Sequence, residues 1–216
     1  MSTPAAPSSR GSGRLVAVLA VSAVLLVAIV FGAFRVGQSQ ASEPAPAPVA
    51  VPITLKPQPI DVGFAQDMAD HHDQAVQMAL LALGRDTSQP VHTLAIEILS
   101  SQRREAGIFE QFLRDRGVPV ADKQRTVMEW MHEPIAHDQM PGLATGEQIT
   151  ALTNAEGPAF DQQFVDLMIR HHEGGVHMAT YAAEHAETQY IRDLASRIVV
   201  AQQNEITDLR QLTATG

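Results

Sequence analysis

The sequence predicts an all-α protein: a four-helix bundle built from two repeated helical hairpins with a long central connector, preceded by an N-terminal transmembrane helix. Three observations predict it. A 20-residue uncharged apolar run lies near the N-terminus, the segment beginning at Asp61 recurs without a gap one hundred residues later, and both copies space their matching residues as helix interiors do.

The apolar run, Leu15–Phe34, is long enough at about 1.5 Å per residue to cross the roughly 30 Å bilayer core. A cleaved signal peptide ending near Ala41 is the competing reading, but signal h-regions are usually only about 7–15 residues long, so an uncleaved anchor is favoured. Arg10 and Arg14 precede the run and only Arg35 closely follows it. The positive-inside bias then puts residues 1–14 in the cytoplasm and exports everything after the span. Residues 35–60 hold six prolines and little to bury, which reads as an extended tether.

From Asp61 the chain repeats, as residues 61–116 and 161–216 around a connector of 117–160. Asp61, Phe64, Met68, His71, His72, Met78, Gln102 and Glu105 are among the residues found again at n+100. Positions 64, 68, 71, 75, 78 and 82 read Phe, Met, His, Ala, Met, Ala, and their counterparts differ only in Gly175. That 4-3 spacing is the seam of a helix packed at a shallow angle. The second helix of each copy continues the pattern through 91, 95, 98, 102, 105, 109 and 112, with Gln and Glu at two seam positions. Gly84 and Pro90 bracket the first turn, Gly117 and Pro119 stop the second helix, and Pro158 opens the third. A hairpin turning near Asp86 brings the His71 level opposite Gln102 and Glu105. Neither hairpin can bury its seam alone, so the pair closes a four-helix bundle. Within the connector, short helices are expected around Lys123–Met131 and Glu147–Asn154.

Composition narrows the function. From Asp61 onward 23 acidic residues face 11 Lys and Arg, which argues against nucleic acid as a partner. Cysteine is absent, so neither disulfides nor thiolate ligands are available. No nucleophile triad, phosphate-binding glycine loop or Walker lysine is visible, and no catalytic or organic-cofactor residues are assigned. All nine His and seven of the eight Met lie beyond Asp61.

Imidazole suits copper, zinc and iron, thioether selects Cu(I), and carboxylate favours harder ions. Met68 precedes His71 and His72 by one helical turn, and Met78 lies two turns beyond His71 on the same seam. His71, His72, His171, His172, Glu105, Glu205, Met68, Met78, Met168 and Met178 are therefore candidate metal ligands that could converge on one axis. Two other readings compete. A His–Glu layer can specify packing without any metal in a helical interaction module, and methionine is an ordinary filler of helical cores. A di-iron-like metalloenzyme would use more carboxylates than the two on these seams. Met128, Met131, His132, His137 and Met140 form a second, irregular candidate cluster in the connector, while His92, His177 and His185 read as surface or rim residues.

The run Met68-x-x-His71-His72-x-x-Ala75-x-x-Met78-Ala79, followed by Met140-Pro-Gly, Phe160-Asp161-x-x-Phe164 and Met168-Ile169-Arg170-His171-His172-Glu173-Gly174, resembles the exported bacterial family called "domain of unknown function 305". The resemblance spans Asp61 to the C-terminus. It implies a ferritin-like four-helix fold and a periplasmic role in binding copper through Met and His, with a delivery partner left unidentified. Leu143 departs from the further Met that many relatives carry in the Met-Pro-Gly segment.

Overall fold

The computed structural model describes residues 59–120 and 124–214. The apolar run at 15–34, and the tether up to residue 58, lie outside the described residues. Among the described residues, no helix is long and apolar enough to cross a membrane.

Among the described residues five α-helices follow one another: α1 Pro59–Leu83, α2 Gln89–Arg114, α3 Gly146–Asn154, α4 Gly157–His185 and α5 Gln189–Ala214. The two hairpins are α1–α2 and α4–α5, and α1 lies along α4. Helix boundaries follow local chemistry. Pro90 and Pro158 sit in the first turns of α2 and α4, where a missing N–H costs nothing. Gly117, with φ at 65°, turns the chain after α2. Thr145 and Gln148 form a capping box on α3.

The first residue of each repeat holds the other repeat's turn. Asp61 accepts from the backbone N–H of Glu187 at 2.8 Å and of Thr188 at 3.2 Å. Asp161 accepts from the N–H of Ser88 at 3.0 Å. Each carboxylate thus satisfies orphan donors at the start of a second helix in the opposite hairpin, where the helix dipole also favours negative charge.

A polar level divides the buried core into two apolar clusters. One gathers Phe64, Met68, Phe109, Phe112, Met178, Ala182, Ile191 and Ile198 with the connector's Met128, Trp130, Met131 and Met140. The other gathers Met78, Ala82, Val91, Ile98, Phe160, Phe164, Met168 and Leu209. Between them each of the four long helices crosses the level of His71, Gln102, His171 and Gln202, all buried.

The connector is anchored to the first repeat. Asp67 accepts from the Met128 N–H at 2.8 Å and the Trp130 indole N–H at 2.7 Å, and it pairs with Arg125. Asp70 receives Arg125 at 2.9 Å and His137 at 3.1 Å. The repeat equivalents of these aspartates are Leu167 and Arg170, so the second copy offers no such anchor. Of the helix expected around Lys123–Met131, the described residues 124–131 hold a single 3-10 turn, Glu129–Met131. Met128 and His132, which bound that turn, have φ of 64° and 62°, and Val127 bridges back to Ile135. A left-handed residue at each side interrupts any α-helix, and the bridge closes the segment into a loop. The expected helix at Glu147–Asn154 is present as α3.

Candidate metal centre

Seam periodicity turns His71 and His171 inward from two helices that face each other, and with their neighbours His72 and His172 they are completely buried. The rings of His71 and His171 stack across the repeat axis, with centroids 3.7 Å apart and planes inclined by 33°. Each is flanked by its sequence neighbour, at 6.5 Å for His72 and 6.0 Å for His172.

Every ring is oriented through Nε2. His72 meets the Glu105 carboxylate at 2.9 Å and His172 meets Glu205 at 2.6 Å. His171 meets the backbone carbonyl of His71 at 2.8 Å, and His71 meets the carbonyl of Pro141 at 3.1 Å. Carbonyl and carboxylate oxygens only accept, so Nε2 donates a hydrogen in each of these four contacts, and the Nε2 of His172 also lies 3.4 Å from the amide nitrogen of Gln102. In a neutral ring held this way, Nδ1 is the lone-pair nitrogen. Among the described residues, all four Nδ1 atoms are buried without a hydrogen-bond partner, as are Gln102 Oε1 and both amide atoms of Gln202 at the same level. Buried polar atoms normally find partners, because each orphan costs about 1–3 kcal/mol. Their concentration in one layer marks it as a place where a ligand can repay that cost.

The electrostatics keep the stacked rings neutral. Burial is the main reason that the His71 imidazole is pushed down to about 3, and the neighbouring ring of His72 adds to it. His171 is held well below its ordinary value by burial first and by His71 second. A neutral imidazole is the form that coordinates a metal.

The ten candidate ligands do not form one shared shell. Glu105 and Glu205 each meet a ring through one carboxylate oxygen, and helical rise separates the methionines into two sets. Met68 and Met178 enter the apolar cluster on one side of the layer, and Met78 and Met168 the cluster on the other. Among the described residues, no three His, Asp or Glu side chains already stand where they could hold one ion together. The second candidate cluster also comes apart. Met128, Met131 and Met140 join the first apolar cluster, while His132 is exposed and His137 is held by Asp70. His177 and His185 are exposed and His92 is half-buried.

Sequence reasoning missed Pro141 and Gln74. The Pro141 carbonyl orients His71, and Gln74 fixes the loop that carries it. One signal was available: Gln74 breaks the repeat, its equivalent being Gly174.

Comparison with known proteins identifies a family. The pattern of the family described as "Domain of unknown function (DUF305)" matches residues 61–213. A Streptomyces coelicolor protein described as a secreted DUF305 protein is 32% identical, with 72% of this chain and 93% of that one covered and a TM-score of 0.67. A DUF305 fragment from Deinococcus radiodurans is 30% identical over 74% of this chain and 98% of its own, with a TM-score of 0.64. CopM in its Cu(I)-bound form is 26% identical over 72% and 96%, with a TM-score of 0.54. No curated protein matches the chain.

Proposed function

We propose a metal-handling role for this chain, which belongs to the DUF305 family: an extracytoplasmic domain, anchored by the Leu15–Phe34 segment, that binds copper at the layer of His71, His72, His171 and His172. One observation carries the reading: four buried imidazoles each give Nε2–H to an oxygen and present an unpartnered Nδ1. That is the arrangement of metal-ligating histidines, whose second nitrogen is held by a carboxylate or carbonyl that fixes the tautomer and strengthens the ligand.

The donor set favours a soft, monovalent ion. No thiolate is available, and the two nearby carboxylates are engaged with ring N–H groups. What remains is neutral imidazole, with thioethers in the flanking apolar clusters, and these suit Cu(I) better than a hard divalent ion. A soft monovalent ion also accepts few ligands, which fits a layer with no preassembled triad of His, Asp or Glu. CopM, which has been solved in Cu(I)-bound and Ag-bound forms, supports the reading at 25–26% identity. The acidic surface would concentrate cations near the domain. The description of the Streptomyces relative as secreted supports export.

The domain organisation belongs to the same proposal: residues 1–14 cytoplasmic, 15–34 in the membrane, 35–60 as tether, and 61–216 as the binding domain. The test is a titration of the purified, metal-stripped chain with Cu(I) under a competing chelator. Saturable uptake that disappears in the His71→Gln, His171→Gln double variant is expected, with helicity retained. Uptake no tighter than micromolar, or undiminished in that variant, would leave only a packing role for the layer.

A further inference from the structure

Three of the four ring N–H groups end on the helices themselves, at Glu105, Glu205 and the His71 carbonyl. The fourth, that of His71, ends on Pro141, in the connector. The His71 tautomer therefore depends on where a loop lies.

That loop is gripped on one side and admitted on the other. Gln74 donates through Nε2 to the Ala144 carbonyl at 2.9 Å and accepts from the Ala144 N–H at 2.7 Å, a two-bond clamp on the backbone. On the second repeat the equivalent residue is Gly174, and a Cβ there would overlap the Pro141 carbonyl. Gly142, at φ 85°, completes the fit, since a Cβ on it would stand 2.7 Å from the Arg170 carbonyl and 2.8 Å from that of His171. One position of the duplicated helix has thus become a clamp in the first copy and a gap in the second, and both serve the same loop.

We propose that Gln74 and Gly174 are positioning residues that set the tautomer of His71 through the Pro141 carbonyl, making His71 the one imidazole of the layer whose ligating nitrogen is governed by the connector. Without that acceptor, nothing holds the hydrogen on Nε2, and Nδ1 no longer presents its lone pair consistently. Gln74 acts through Pro141 and His71 and would touch no metal. The consequence for affinity rests on the copper reading above, whereas the tautomer itself does not.

The test uses the full chain with nitrogen-15-labelled histidine. In the metal-free protein, nitrogen shifts should show all four buried rings protonated at Nε2. In Gln74→Ala the His71 signals should move toward a mixture of tautomers while those of His72, His171 and His172 stay in place. Affinity for Ag(I), measured by competition, should fall by about 10–100-fold, the usual cost of losing an orienting partner. Gln74→Glu keeps the acceptor for the Ala144 N–H and should recover part of both effects. Gly174→Ala should reproduce the His71 change, and should it fail to fold, the Gln74 pair decides alone. An unchanged His71 tautomer in Gln74→Ala overturns the proposal, as does a shift shared equally by all four rings. If the unsubstituted chain takes up no Ag(I), the metal reading falls, and the tautomer measurement still decides the positioning.

Discussion

At the residue scale, the oxygens behind the imidazoles set the chemistry of the layer. Glu105→Ala or Glu205→Ala leaves a buried ring N–H without an acceptor. Each should lower stability by about 1–3 kcal/mol in denaturant melts and weaken Cu(I) binding by about 10–100-fold. Affinity untouched by both changes would assign the glutamates to packing alone. The stacked rings also make a prediction about acid. His71 stays neutral down to about 3, whereas its ordinary value is 6.5, and His171 is displaced in the same direction. Below 6.5 the unfolded chain binds protons that the folded domain refuses, so stability falls as pH drops from 6.5 toward 3. The loss should be on the order of a few kcal/mol, since one unit is about 1.4 kcal/mol. Denaturation midpoints between pH 7.5 and 4.5 should show it, and the His71→Gln, His171→Gln double variant should flatten the slope. Both glutamates were legible as seam residues because they stand where apolar side chains should be. Their role as acceptors depends on ring orientation, which spacing does not convey.

At the element scale, the repeat made four long helices and their ends legible, since Gly and Pro act within one or two residues of where they stand. Asp61 and Asp161 were visible only as matching residues. Each reaches a backbone more than 70 positions away in sequence, a contact that no local pattern announces. These carboxylates bind opposite turns through separate sets of partners. Asp61→Ala and Asp161→Ala should each cost about 1 kcal/mol, and the double variant about their sum. Thermal melts test this, and strong non-additivity would show that the two ends of the bundle are coupled. The connector was the least legible element. Its expected first helix gives way to a loop held by Asp67 and Asp70, and those two anchors look like ordinary helix-surface acids until the fold brings Arg125 and Trp130 to them.

At the scale of the whole molecule, a polar level separates two apolar clusters, and a ligand binding there would tie all four helices together. Ag(I) or Cu(I) at about 100 times its dissociation constant should add about 2.7 kcal/mol. For a domain of this size that is a rise of roughly 5–10 °C in melting temperature, absent when His71 and His171 are replaced. A two-hairpin bundle follows from the seam pattern, and so does the level at which the histidines sit. The division of the methionines between two clusters was not anticipated, because residues sharing a helix face still lie at different heights along it. The docking of the connector on Gly63 has an optical consequence. Trp130 is the chain's single tryptophan, packed on that glycine and edge-on to Phe64 and Tyr181, with its N–H on Asp67. Its fluorescence therefore reads out one event, the seating of the connector. Asp67→Asn should shift its emission to the red by loosening that seat while the helical signal holds, so the protein reports on its own covering segment without a label.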